Sequence, residues 1–174
     1  MEEQEWRSEN GGNPMHKLHQ SLDTVPYSIV LWGASFEESV AVIFVAALRQ
    51  AGLPVQLIGL IGPRAAGMHG LALSPDITLS EALPLACQTI CLLLPCDAIV
   101  ARRIENDPRV LTFFQEAARN DALFIVSDRV AITLTSLHKL AIPPARIMTY
   151  TTHHNLSELA HTVARIVKDK INRA

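Results

Sequence analysis

Chemistry in this chain is concentrated where apolar runs give way to short polar turns. Phe124-Ile125-Val126-Ser127-Asp128-Arg129 ends such a run on a hydroxyl. Turns from strand to helix present nucleophiles, but a serine hydroxyl needs a positioned base to attack anything. The small residues usual around such an elbow are replaced by Asp128 and Arg129. Local chemistry therefore reads Ser127 or Asp128 as a helix N-cap. Gly33-Ala34-Ser35-Phe36-Glu37-Glu38-Ser39-Val40 sets two acids at another such turn. Its Ser-x-x-Glu spacing matches a capping box, with Ser35 as N-cap and Glu38 reaching back to the Ser35 amide. Acids in a first turn also suit the positive end of the helix dipole.

Other segments offer weaker chemistry. Pro95-Cys96-Asp97 follows an apolar run, so a thiol is expected at a sheet rim, with Asp97 raising its pKa. Cys87 and Cys91 read as packing residues. His153-His154 could supply a base or a metal ligand, although paired loop histidines are usually solvated. The glycines between positions 62 and 70 could cradle a phosphate, but neither a Walker Lys-Ser/Thr nor G-x-G-x-x-G is present. A turn into a short strand at 71–73, with His69 exposed, is the expectation there.

These residues must be held by something. Continuous, partly β-branched apolar runs at 28–32, 55–60, 90–94, 122–126 and 146–150 suit parallel strands covered on both faces. Helical patterns lie between them, at 37–51, 79–86, 107–119, 128–140 and 155–171. The last carries Leu156, Leu159, Ala160, Val163, Val167 and Ile171 on one face. Alternating strands and helices with short loops predict an α/β fold: a three-layer, doubly wound, flavodoxin-like sandwich with a mostly parallel five- to six-stranded sheet. Ligands of such sheets sit at the carboxyl ends of the strands. That narrows the search to 33–38, 62–70, 95–97, 127–129 and 151–155. Residues 1–24 read as a flexible polar arm and 25–174 as a single domain.

Composition excludes several classes. A formal net charge of -2 leaves no basic footprint for nucleic acid. The longest apolar stretch, 40–48, is too short to span a bilayer, and the acidic N-terminus lacks the apolar core of a signal peptide. Three cysteines are an odd count, which suits reduced thiols in a cytoplasm better than a disulfide framework. No zinc pattern or cofactor motif is present, so neither metal nor cofactor is expected.

In order and spacing, these segments resemble the ThiJ/PfpI superfamily, the class I glutamine-amidotransferase-like fold that includes the parkinsonism-linked deglycase-like proteins. The segment 33–40, followed by Leu48-Arg49-Gln50-Ala51-Gly52-Leu53 and Val55-Gln56-Leu57-Ile58-Gly59-Leu60, looks like the family's opening strand, glutamate-bearing helix and second strand. Gly70-Leu71-Ala72-Leu73-Ser74-Pro75-Asp76 is similar to its short strand and Pro-Asp turn, and Leu92-Leu93-Leu94-Pro95 to the strand before its Gly-Gly. The resemblance implies that Glu38 holds the position of a glutamate that hydrogen-bonds a nucleophilic cysteine. It also implies departures. The cysteine falls on Ser127, the small residues after it on Asp128 and Arg129, and the Gly-Gly on Cys96-Asp97.

Asp97 puts negative charge where an oxyanion would develop, and Arg129 could pair with Glu38 or Asp97. The expectation is a ThiJ/PfpI-like pseudoenzyme that binds a small molecule or a protein partner. Its degenerate pocket is built from Glu38 and Ser127 and lined by Gly33, Cys96, Asp97, Asp128, Arg129 and His153. The family's habit implies a homodimer through apolar helix faces. The alternative is a hydrolase or lyase with a rewired site using Ser127 or Cys96, assisted by Glu38. In one version Cys96 is a redox-sensitive thiol, alkylated ahead of Cys87 and Cys91.

Overall fold

The computed structural model describes residues 26–60, 62, 64–151 and 155–173. The arm expected at 1–24 and the candidate His153 lie outside the described residues.

In chain order the elements are β1 (Tyr27–Trp32), α1 (Glu38–Gln50), β2 (Val55–Gly59), β3 (Ala65–Ala66), β4 (Ala72–Leu73), β5 (Ile77–Thr78) and α2 (Leu79–Ala82). A 3-10 segment (Leu83–Gln88), β6 (Thr89–Leu93), α3 (Ala98–Glu105), α4 (Pro108–Arg119), β7 (Leu123–Ser127), α5 (Asp128–Thr133) and α6 (Thr135–Lys139) come next. A short 3-10 turn (Pro144–Arg146), β8 (Ile147–Tyr150) and α7 (Leu156–Ile171) complete the chain.

Six strands form one sheet in the order β5-β2-β1-β6-β7-β8, and every neighbouring pair is parallel. The small β3–β4 hairpin stands apart as an antiparallel pair. Strand side chains alternate between two cores, as a period of two requires. Ile29, Leu31, Leu92, Phe124 and Val126 pack with residues of α2 to α6. Val30, Trp32, Cys91, Leu93 and Ile125 pack with α1 and α7. The result is the three-layer sandwich that the alternating runs predict. Phe114 meets Phe124 edge-on at 6.0 Å between ring centroids, an anchor whose truncation to alanine would cost about 3–5 kcal/mol. No helix among the described residues is long and apolar enough to cross a membrane.

The helices differ from expectation in ways that matter for the site. Residues 98–105 form α3, which the sequence pattern did not suggest. Only Val100, Ala101 and Ile104 are buried along it, too brief a stripe to stand out. The helix expected at 79–86 stops after four residues and tightens into a 3-10 segment with Pro84 in its first turn. The helix expected at 128–140 breaks at Leu134, whose ψ of 108° is extended. There Glu105 of α3 accepts from the Thr135 hydroxyl at 2.9 Å and from the Ser136 amide, capping α6 from outside.

The capping box at Ser35 is corrected too. α1 begins at Glu38, its N-cap is Glu37, and no side chain caps it. The cause is non-local. The Ser35 amide donates to the Ala66 carbonyl at 2.7 Å, and Ser35 holds a left-handed φ of 61°. The other end of α1 follows local rules. Gly52, at φ 77°, lets the Leu53 amide return to the Leu48 carbonyl at 3.1 Å, so the chain turns into β2.

Candidate functional site

The carboxyl ends of β1, β6, β7 and β8 surround a cavity of about 280 Å³ lined by Glu37, Asp97, Ser127, Asp128, Arg129, Tyr150 and Thr151. Backbone bonds fix its frame. The Glu37 amide donates to the Pro95 carbonyl at 2.7 Å, tying the start of α1 to the loop after β6. The Tyr150 hydroxyl donates to the Leu94 carbonyl at 3.1 Å, and Tyr150 stands opposite Ser127 in the β7–β8 register.

Ser127 closes β7 and caps α5. Its hydroxyl oxygen accepts from the Val130 amide at 3.3 Å, and the residue is only 8% exposed. No imidazole or carboxylate is hydrogen-bonded to it among the described residues. Asp97 caps α3 in the same manner, accepting from the Val100 amide at 2.8 Å. Glu37 is half-buried. Burial pushes its carboxyl above the ordinary carboxylate range and the nearby charge of Asp97 pushes it further, while the polar contact with Tyr150 works the other way. Asp128 and Arg129 are exposed at the mouth. The Arg129 side chain makes no ion pair among the described residues, so the anticipated bridge to Glu38 or Asp97 does not form.

Of the residues singled out in the sequence, the fold brings Asp97, Ser127, Asp128 and Arg129 to one cavity. It keeps Glu38, Cys96 and Gly33 off the cavity lining. Gly33 packs towards Leu60 and Ile104. Cys96 is fully buried, its thiol pushed up to about 12 by burial and then by the charges of Glu37 and Asp97. Cys91 is buried as expected, whereas Cys87, expected as a packing residue, is the exposed thiol.

Glu38 turns the other way, onto the β3–β4 hairpin. One carboxylate oxygen accepts from the amides of His69 at 2.7 Å and Leu71 at 3.3 Å, and the other meets His69 Nδ1 at 2.9 Å. The glycine-containing loop thus holds an anion, and that anion is the chain's own glutamate. A Cβ on Gly67 would come within 2.3 Å of that carboxylate, so only glycine fits there.

Sequence reasoning missed Glu37 and Tyr150 as cavity residues. The signal for Glu37 lay in the start of α1, two residues later than the capping box implies. For Tyr150 it lay in the β7–β8 register. Among the described residues no group of three or more His, Cys, Asp or Glu is placed to hold a metal ion.

No protein-family model and no curated protein matches the sequence. Solved structures do match in fold. A cysteine-to-alanine mutant of a DJ-1 superfamily protein from Salmonella typhimurium superposes with a TM-score of 0.69 at 17% identity, covering 85% of this chain and 97% of that one. Drosophila melanogaster DJ-1beta gives 0.65 at 16% identity over 86% and 95% of the two chains. A ThiJ/PfpI domain protein from Brachyspira murdochii gives 0.63 at 14% identity over 84% and 98%. With its parallel sheet, its hairpin after β2 and the helices on both faces, the chain has the fold of the DJ-1/ThiJ/PfpI superfamily.

Proposed function

We propose that the protein is a ThiJ/PfpI-like pseudoenzyme whose Ser127 cavity binds a small molecule without turning it over, and that it acts in a regulatory or interaction role. The observation that carries this reading is the state of Ser127. Its oxygen is engaged as the cap of α5, and among the described residues no base is hydrogen-bonded to it to take its proton. Glu37, Asp97 and Asp128 add to it, because negative charge there opposes an oxyanion. The rewired-enzyme alternative gains nothing from Cys96, a buried thiol with a raised pKa. A cytoplasmic setting, suited to three free cysteines, and a homodimer belong to the same reading.

The test is a thermal-shift screen of small metabolites against the wild type and Arg129→Ala, run beside turnover assays with esters and reactive carbonyl compounds. Ligands that stabilise the wild type and lose their effect in Arg129→Ala are expected. Turnover that disappears in Ser127→Ala would overturn the reading.

A further inference from the structure

Away from the cavity, the contact between Glu38 and His69 joins a buried carboxylate to an exposed imidazole. The side chains are 9% and 81% exposed, respectively. Exposed side chains are normally free to move, but this residue is held at two points, one on its backbone and one on its ring. Both the His69 amide and its Nδ1 engage the same carboxylate, at 2.7 and 2.9 Å. Burial alone would raise the Glu38 pKa. The hydrogen bonds from the His69 ring, its amide and the Leu71 amide outweigh that and hold it at about 2. An ionised carboxylate only accepts, so Nδ1 carries the hydrogen on this contact, and the lone pair of an uncharged ring lies on Nε2. Met68 and Leu71, close to His69 along the chain, are each about half exposed.

We propose that Glu38 and His69 form a nucleophilic dyad that accepts acyl groups from small, uncharged, activated esters. Nε2 attacks the ester carbonyl carbon, a C–N bond forms, and the C–O bond to the leaving group breaks with its electron pair. The ring then carries a positive charge, stabilised by the Nδ1–H bond to Glu38. Water attacks the acyl carbon next, and the C–N bond breaks with its electron pair returning to Nε2. The products are a carboxylic acid, free His69 and one proton, which passes to solvent and balances the leaving-group anion. His69 touches the substrate, while Glu38 is a positioning residue that acts through the ring. The dyad goes beyond the cavity's proposed role and depends on none of its residues.

The test uses the full chain with p-nitrophenyl acetate as probe and diethyl pyrocarbonate for mapping. His69 should be acylated ahead of His138 and His161, and His69→Gln should lower ester turnover about tenfold or more. His69→Gln leaves the Glu38 bonds to the His69 and Leu71 amides available, so the hairpin should keep its fold. Glu38→Gln should lower turnover by a smaller factor. In 15N spectra it should replace a single Nδ1–H tautomer of His69 with a mixture, a change that a purely structural role would not produce. Acylation of His69 no faster than that of His138 and His161, or wild-type turnover in His69→Gln, would overturn the dyad.

Discussion

Burial and, after it, the charge of Asp97 raise the pKa of Glu37 in the cavity that both acids line, although Asp97 caps α3 and Glu37 stands at the start of α1. A carboxylic acid with a raised folded pKa binds protons more readily in the native state. Its ionisation therefore costs stability as pH rises through that pKa. Glu37→Gln should melt higher than the wild type at pH 7.5, by about 2–4 °C for each 1 kcal/mol recovered in a chain of this size. The advantage should vanish near pH 4, where the wild-type carboxyl is protonated. An equal difference at both pH values would remove this account.

Glu38 should behave in the opposite sense. Its carboxyl lies near 2, well below the ordinary 4.5, so the stability it lends the hairpin is present above 4.5 and fades as pH falls towards 2. Hydrogen exchange at the His69 and Leu71 amides, followed from pH 6 down to pH 2.5 and corrected for intrinsic rates, should show protection falling in that window. Protection that stays level would show that the hairpin is held by something else.

Gly67 leaves no room beside Glu38, and the carboxylate it touches is anchored by three hydrogen bonds. Gly67→Ala should cost about 1–3 kcal/mol by overpacking. A urea melt measures it. A loss within error of zero would mean the hairpin shifts freely to accommodate the methyl group.

Thiol labelling should follow burial. Cys87 is exposed, whereas burial pushes the thiols of Cys91 and Cys96 up to about 12. Iodoacetamide mapped by peptide mass should modify Cys87 first in the folded protein and all three together after denaturation. Early modification of Cys96 would restore the idea of a thiol at the cavity.

The proposed homodimer has a measurable face. Val42 is 48% exposed beside an apolar groove of about 320 Å³ that Val45, Ala46, Leu57 and Leu73 also line. Val42→Lys should shift the mass in light scattering from two chains to one. A wild type that is monomeric at micromolar concentration would end the proposal.

Five of the sheet's six strands were legible in the sequence as short, largely apolar runs, while the two-residue edge strand β5 carries no such run. β1 shows why the others could be read. Its residues fill both cores in alternation, which only a strand covered on two faces requires. The place of the site was legible for a related reason, since parallel strands gather their carboxyl ends at one edge. The identity of its glutamate was not. Ser35 and Glu38 match a cap by spacing, but the bonds from Ser35 to Ala66 and from Glu38 to His69 reach about thirty residues along the chain. Local patterns do not record such contacts, and a helix that starts two residues after the Ser35 cap would place it sets Glu37, not Glu38, at the cavity. α3 was missed because its buried stripe is short and its cap, Asp97, sits beside a cysteine that drew attention to itself.

The start of α1 and the start of α3 both open at the cavity with a carboxylate already in place, Glu37 at one and Asp97 at the other. The partial positive charge that a helix offers at that end is therefore met by the chain's own acids before any solute arrives. A phosphate or a sulfate approaching from solvent finds that counter-charge taken, and among the described lining residues Arg129 is the one cation that faces it. Three acids against one guanidinium among its described lining residues set the cavity's charge against anions before its shape is considered.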